Sequence, residues 1–334
     1  MMKGPFDTAW RGETRPAARL HRRGFCLCCL SAPGFAAGAA WLTPRQAFAQ
    51  ARGIVDTIKD FAARTPITVT PLRGNISVLE GSGGTVAVLG GSDGKLLVDA
   101  GIGVSKPQMT GALERLGREP VVQLINTHWH FDHADGNDWL HAAGARILAQ
   151  RNTSVHLATA QRVEDWDFNF PAAPPGARPA ETFADRHRLS HNGQTLELAY
   201  YGPAHTDSDI SVRFAEADVL HVADTFWNGV YPFIDYSTGG SIDGMIRAAE
   251  ANVAGTAEST IVIAGHGKAV GTRAELREFR DMLVAIRGQV ALLKARGMSR
   301  DEVVAARPSE PFDAKYGGFV IGPAFFTRLV YAGV

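Results

Sequence analysis

His128-Trp129-His130-Phe131-Asp132-His133 places four metal-capable side chains within six residues, directly after the apolar run Val121-Val122-Gln123-Leu124-Ile125. Imidazole nitrogens and carboxylate oxygens are the ligands Zn2+ takes when no thiolate is offered. On an extended backbone, side chains two apart project the same way, so His128 and His130 can grip one ion, and Asp132 shares their parity. His133 turns away unless the chain coils just after the strand. A tight turn there lets Asp132 and His133 address a second ion close to the first. The plain alternative is a His-rich loop without metal, and H-x-H-x-D-H at the end of a strand argues against it.

Three more candidate ligands follow, each at the far end of an apolar run. Leu196 to Tyr201 leads through Gly202-Pro203-Ala204 to His205, Val219 to Ala223 ends at Asp224, and Ile261 to Ala264 ends in Gly265-His266-Gly267. Taken singly, His205 reads as a turn residue, Asp224 as a cap and His266 as a buried polar tip. Their recurrence after the six-residue motif places all of them on one rim of the sheets. His21, His141, His156, His187, His191 and His221 remain ordinary surface or core residues, His221 lying inside its strand.

The elements that must position these groups can be read from periodicity. Residues 54–64 space Ile54, Val55, Ile58, Phe61 and Ala62 along one helical face, ended by Pro66. Short β-rich runs follow at 67–71, 75–80, 85–89 and 95–99, separated by Gly-rich hairpin turns. A helix at about 105–117 leads to the strand before the metal motif. Helices are expected at 136–143 and near 152–160, with a strand at 145–149 between them. Residues 161–180 are rich in Pro and aromatics, show no period, and suit a flap over a site. Strands near 187–201, 209–214 and 218–223 precede a helix at 242–254, the strand 261–264 and a mostly helical stretch over 273–334.

The first 49 residues belong to another class. They hold seven Lys or Arg and two acids. Arg22-Arg23 precedes a mildly apolar run over 26–42, and Ala47-Phe48-Ala49 forms a small-x-small cleavage signature. Residues 1–49 are therefore expected to be a cleavable, twin-arginine-like signal peptide, with His21 standing where that pattern usually has Ser or Thr. A general secretory route remains open, and the run is short and diluted by Pro33, Gly34 and Gly38 for a membrane helix. Cleavage removes Cys26, Cys28 and Cys29, the only cysteines, so no disulfide framework is expected. It leaves 27 basic against 32 acidic residues, which with the absence of a basic stripe argues against a nucleic-acid partner. The expected product is one domain over 50–334, periplasmic or secreted, meeting the export machinery through its leader and not inserted stably in a membrane afterwards.

With these residues in view, the chain resembles the metallo-β-lactamase fold superfamily over roughly residues 67–334. The resemblance is carried by Leu97-Val98-Asp99-Ala100-Gly101, the His128 to His133 motif, Gly202-Pro203-Ala204-His205-Thr206, Val222-Ala223-Asp224-Thr225 and Ala264-Gly265-His266-Gly267. It implies an α/β protein folded as an αββα sandwich, two mixed β-sheets face to face with helices outside, and two Zn2+ ions at one edge. Carried over position by position, His128, His130 and His205 hold the first zinc, Asp132, His133 and His266 the second, and Asp224 bridges them. Asp99 is then a carboxylate that orients the ligand loop.

The implied activity is hydrolysis of a small ester, lactone, thioester or amide by a zinc-held hydroxide, which is nucleophilic at neutral pH. Asp132 is the expected catalytic residue, holding the nucleophile in line and relaying a proton. Several departures bear on the substrate. Many true metallo-β-lactamases carry Cys or no carboxylate at Asp224, and Trp227 stands where a Lys often binds the β-lactam carboxylate. Lys268 is the one nearby cation in the sequence that can take its place. Oxygen-reducing di-iron relatives have Glu at the position of His130. The stretch Phe226 to Tyr236 resembles an exported, poorly assigned branch, and its aromatics either wall an apolar pocket or pin the loop. The alternatives are a true metallo-β-lactamase, a mononuclear iron persulfide dioxygenase, and a non-catalytic zinc-binding protein.

Overall fold

Alternation of apolar side chains decides which way each strand faces, and it does so from the first strands onward. A computed structural model describes residues 53–334, so the expected signal peptide, with Arg22-Arg23, the three cysteines and Ala47-Phe48-Ala49, lies outside the described residues. In chain order the first elements are α1 (Ile54–Ala62), β1 (Thr68–Pro71), β2 (Ile76–Glu80), β3 (Val86–Leu89) and β4 (Lys95–Val98). Then come α2 (Lys106–Arg115), β5 (Val121–Asn126), α3 (Phe131–Ala134), α4 (Asn137–Ala142), β6 (Arg146–Gln150) and α5 (Arg151–Ala158). They are followed by β7 (Gln161–Val163), β8 (Phe168–Phe170), β9 (Glu181–Phe183), β10 (Arg186–His191), β11 (Gln194–Tyr200), β12 (Ile210–Phe214) and β13 (Val219–Asn228). The last are α6 (Ile242–Ala254), β14 (Ile261–Gly267), β15 (Val270–Thr272), α7 (Arg273–Ala295), α8 (Arg300–Ala305), α9 (Glu310–Tyr316) and α10 (Pro323–Ala332).

The strands form a seven-stranded sheet, β1-β2-β3-β4-β5-β6-β9, and a six-stranded sheet, β10-β11-β12-β13-β14-β15. Both are mixed: β1 to β4 are antiparallel and β4, β5, β6 and β9 parallel, while β13 and β14 are the parallel pair of the second sheet. In β3 and β4, Ala87, Leu89, Leu96 and Val98 enter the core shared with Leu198, Val212 and Ile263 of the other sheet. Their neighbours Val86, Val88 and Leu97 face the opposite way, onto Met109 and Leu113 of α2 and Leu140 of α4. On the far side, Leu220, Val222 and Val262 pack with Met245 and Ala248 of α6 and Phe279, Met282 and Ile286 of α7. The result is the αββα sandwich.

Three local differences from the periodicity reading matter. Residues 161–180 are not wholly irregular: β7 and β8 pair as a short antiparallel ribbon, turned at Asp167 with φ 48°. The strands near 187–201 resolve into a hairpin closed by Asn192-Gly193, both with positive φ, the dipeptide that favours a tight turn twisted with its strands. The strand expected at 218–223 continues to Asn228, through register shifts against β14 beyond His221 and beyond Ala223. Among the described residues no helix is long and apolar enough to cross a membrane.

Candidate metal centre

The chain does coil at once after β5. His130 stands at the N-terminal end of α3 with extended backbone, and α3 itself is the single turn Phe131–Ala134. That turn swings His133 back to the side reached by Asp132. Residues 202–206 carry His205 from the end of β11, β13 carries Asp224, and β14 carries His266. His128, His130, His133, His205, Asp132 and Asp224 are all buried, and His266 nearly so. The ligand-capable atoms of His128, His130 and His205 lie within 4.8 Å of one another, as do those of Asp132, His133 and His266. A third such group is His128, His133 and Asp224, so Asp224 sits between the two triads. Its Oδ2 is 3.3 Å from His205 Nε2 and 3.2 Å from His266 Nε2, and its Oδ1 is 3.0 Å from His133 Nε2.

The hydrogen bonds behind the rings fix which nitrogen faces inward. Asp99 Oδ1 accepts from the Thr127 amide at 2.7 Å, and its Oδ2 accepts from Thr127 Oγ1 at 2.7 Å and from His133 Nδ1 at 2.8 Å. Thr127 Oγ1 spends its proton on Asp99, so at 3.1 Å it accepts from His128 Nδ1. That leaves His128 Nε2 a bare lone pair, buried and without a hydrogen-bond partner. His205 Nδ1 donates to the Phe233 carbonyl at 2.8 Å, and His130 Nε2 donates to Asp235 Oδ2 at 3.0 Å. The inward atoms, His205 Nε2 and His130 Nδ1, are then both acceptors, yet they stand 2.8 Å apart. Two facing lone pairs repel unless a cation lies among them. A buried orphan acceptor beside such a pair, each ring backed by an acceptor of its own, is the donor set a borderline divalent metal such as zinc requires.

Electrostatics agree with the geometry. Burial holds the His128 imidazole well below its ordinary value, and neighbouring His133 adds to the effect. Burial also pulls on His133 and His266, but the carboxylates outweigh it. Asp224 and Asp132, with Asp99, hold His133 well above its ordinary value, and Asp224 and Asp132 lift His266 to about 9. Burial likewise pushes Asp224 and Asp132 up, and their histidine neighbours bring both below the usual carboxylate range. Two carboxylates that stay ionised in a buried site mark it as built for positive charge.

The close packing tolerates no side chain at two glycines. A Cβ on Gly84 falls 2.3 Å from the His133 ring, and one on Gly265 falls 2.1 Å from Asp224 Oδ1.

Four further residues, none of them expected as a ligand, take part in holding the site. Asp235, fully buried, bonds His130 and accepts from Thr238 Oγ1 at 2.6 Å and the Ser237 amide at 3.0 Å. Asp209 accepts from the Thr206 amide at 2.7 Å and from Thr206 Oγ1 at 3.0 Å, bracing the loop of His205. His221 bonds the Ala223 amide and the Thr85 carbonyl. Phe233 supplies the carbonyl behind His205. In the sequence Asp209 is only the first residue of an expected strand, and Asp235 only an acid among aromatics.

A cavity of about 310 Å3 opens over this cluster, with His130, Asp132, His205, Asp224 and His266 on its floor. The stretch 226–236 divides in two. Trp227 and Phe233 line the cavity, Trp227 with its ring centroid 4.1 Å from that of His266. Phe226 instead packs edge-on against Phe279, and the Tyr231 hydroxyl donates to Asp313 Oδ1 at 2.9 Å with Ser309 O 3.1 Å away, pinning the loop. From the ribbon, Trp166 reaches the cavity, 5.1 Å from the His130 ring, whereas Phe170 stacks on Phe131 at 5.4 Å. Lys268 does not line it: its side chain is 66% exposed and its ammonium bonded to Glu275 at 2.9 Å.

The sequence profile of the metallo-beta-lactamase superfamily matches residues 79–286, which contain all seven candidate ligands. The chain is 28% identical over 185 residues to 2,4-dinitroanisole O-demethylase subunit alpha of Nocardioides sp. (strain JS1661), a match covering 53% of each. Among solved structures it is similar to the stereoselective inverting sec-alkylsulfatase Pisa1 from Pseudomonas sp., with TM-score 0.61 at 15% identity over 81% of this chain and 51% of that one. It is also similar to DIM-1 metallo-beta-lactamase, with TM-score 0.52 at 20% identity over 66% of this chain and 97% of that one. The chain thus spans about half the length of the O-demethylase subunit and of the alkylsulfatase, and at such identities the structural likenesses speak for the fold alone. The profile match over more than half of the chain carries the assignment: the protein belongs to the metallo-beta-lactamase superfamily.

Proposed function

We propose that the protein is a dinuclear zinc hydrolase acting on a small, uncharged or singly charged ester, lactone, thioester or amide with an apolar part. The observation that carries this reading is a pair of ligand triads sharing Asp224 at the floor of an aromatic-lined cavity. His128, His130 and His205 would hold one ion, Asp132, His133 and His266 the other, with Asp224 between. Bound zinc lowers the pKa of a ligated water to about 7 and polarises a carbonyl. Asp132 lines the cavity, so it is placed to take the attacking water's proton and hand it to the leaving group. Asp99 and Asp235 fix ring orientation from behind, and Trp166, Trp227 and Phe233 exclude water from the apolar side.

The likeness to an O-demethylase adds an aryl ether to the substrate classes, and the aromatic lining is what favours an aryl group. Turnover of a chromogenic ester by zinc-replete protein, lost with chelator and restored by zinc, tests the reading. A reproducible single iron per chain with no ester turnover would instead favour a dioxygenase.

Export is proposed from the sequence alone, on Arg22-Arg23 and Ala47-Phe48-Ala49. Replacing both arginines with Lys should keep the protein out of the periplasm. Undiminished export would point to the general secretory route.

A further inference from the structure

The cavity has walls of two origins. Its floor lies wholly inside residues 79–286, the stretch shared with the superfamily. Its outer wall comes from outside that stretch, on both sides of it in sequence: Ile54, Ile58 and Phe61 of α1, and Phe319-Val320-Ile321 between α9 and α10. α1 buries Val55 and Ala62 yet leaves Phe61 51% exposed. The exposed part of that ring belongs to the cavity lining, beside Ile58 of the same helix.

The helix is held in place from several directions. Lys59 Nζ stands 5.6 Å from the Phe131 ring of α3 and 5.8 Å from the Phe168 ring of β8, and Gln108 of α2 donates to the Ala63 carbonyl at 2.7 Å. α1 is thereby tied to the helix that carries Asp132 and His133. Among the described residues that line the cavity, none is Lys or Arg, and the only carboxylates are Asp132 and Asp224. A charged substrate group would find no counter-ion on this wall. At about 310 Å3 the cavity sits at the small end of ligand pockets.

We propose that α1 and residues 319–321 form the substrate-selecting wall, along which an uncharged alkyl or aryl group lies against Ile58 and Phe61. The proposal rests on the hydrolase reading only in calling that group part of a substrate. Selection for an uncharged hydrocarbon group follows from the wall itself.

Two measurements on zinc-replete, full-length protein test it. The first is kcat/KM for 4-nitrophenyl esters from acetate to octanoate. Burial of each methylene contributes about 0.8 kcal/mol, or about fourfold, until the cavity is full. Phe61→Ser and Phe319→Ser should cut the gain to under about twofold per methylene, with Phe61→Leu restoring most of it. The second is binding of 1-butanol, 1-hexanol and 1-octanol, read by tryptophan fluorescence, since Trp166 and Trp227 line the cavity. Affinity should rise with chain length in the unmodified protein and flatten in the two serine variants. If no ester is cleaved but the alcohols behave this way, the wall stands and the hydrolase reading falls. Chain-length slopes unchanged in variants that melt like the parent would overturn the proposal.

Discussion

His221 Nδ1 accepts a hydrogen bond from the amide of Ala223 at 3.2 Å, and its Nε2 donates to the carbonyl of Thr85 at 3.3 Å. Ala223 holds φ 43°, a left-handed conformation unusual for a residue with a Cβ, at a register shift between β13 and β14. The residue that follows is Asp224. A side chain that reads as an ordinary strand histidine therefore clamps the irregular backbone that turns the shared carboxylate toward both triads. His221→Leu should weaken the second ion by about 10- to 100-fold, the usual effect of losing a partner that orients a ligand. His221→Asn, whose amide oxygen can replace Nδ1 as acceptor, should recover part of that loss. Asp224→Ala, which removes the ligand itself, should cost more than either. Zinc titration against a competing chelator measures all three.

The same histidine sets an acid limit. Full burial depresses the His221 imidazole from its ordinary 6.5 to about 4. A depressed histidine means the folded state binds fewer protons than the unfolded one. Its contribution is present above pH 6.5 and is lost as pH falls through about 4. The loss amounts to on the order of 3 kcal/mol across that window. Denaturant unfolding at pH 7, 5.5 and 4 should show a steeper acid loss for the parent than for His221→Asn. Parallel pH profiles would mean that His221 is not held neutral.

Asp235 makes a second test of positioning without ligation. It is fully buried, and its bond to His130 Nε2 spans 105 positions of sequence. Asp235→Ala strands the His130 N–H in a buried site and should lower affinity for the first ion by about 10- to 100-fold. Asp235→Asn retains an acceptor but not the charge and should fall between. If both variants keep full zinc content under chelator competition, the bond is incidental.

The cluster of ligand-capable residues and the fold were legible for related reasons. A metal site admits few residue types, and four of them crowd into 128–133, while the remaining three each end an apolar run. Alternation in β3, β4 and β5 sets the two faces of the first sheet, and the helix over 242–254 matches its apolar period. His221 and Asp235 escaped because their roles depend on a left-handed backbone at Ala223 and on contacts far apart in sequence. Neither leaves a mark in residue type or period. α1 was readable as a helix from Ile54, Val55, Ile58, Phe61 and Ala62, but periodicity says nothing of which cavity a face will border. Phe226 and Trp227 make the same point: adjacent aromatics, one in the core against α7 and one over His266.

Metal removal should expose a pH response of opposite sign. In the metal-free protein, Asp224 and Asp132 overcome burial and lift His266 to about 9. That stabilisation is fully present below pH 6.5 and is lost as pH rises through about 9. Chelated protein should therefore melt progressively lower from pH 6.5 to 9. Zinc held by His266, as proposed, would displace the same proton, so zinc affinity should rise over that window and protons should be released on binding at pH 7. Calorimetry in buffers of different ionisation enthalpy counts them. A pH-independent melt of chelated protein would show that His266 carries no proton there.

The substrate itself is the last point at issue. Asp224 lies between the triads, Trp227 packs on His266, and Lys268 is spent on Glu275 at the protein surface. A penicillin or cephalosporin brings a carboxylate that would find no Lys or Arg among the described residues lining the cavity. An acyl lactone brings an apolar tail, for which Trp166 and Phe233, 4.5 Å apart, form a continuous aromatic face. Lactones or esters with an apolar tail should therefore exceed β-lactams in kcat/KM by at least tenfold, about 1.4 kcal/mol in the barrier. The comparison needs one penicillin, one cephalosporin and one acyl lactone on the same zinc-replete preparation. If the β-lactams win by that margin and Lys268→Ala abolishes the preference, Lys268 leaves Glu275 for the substrate carboxylate and the lactone reading is wrong.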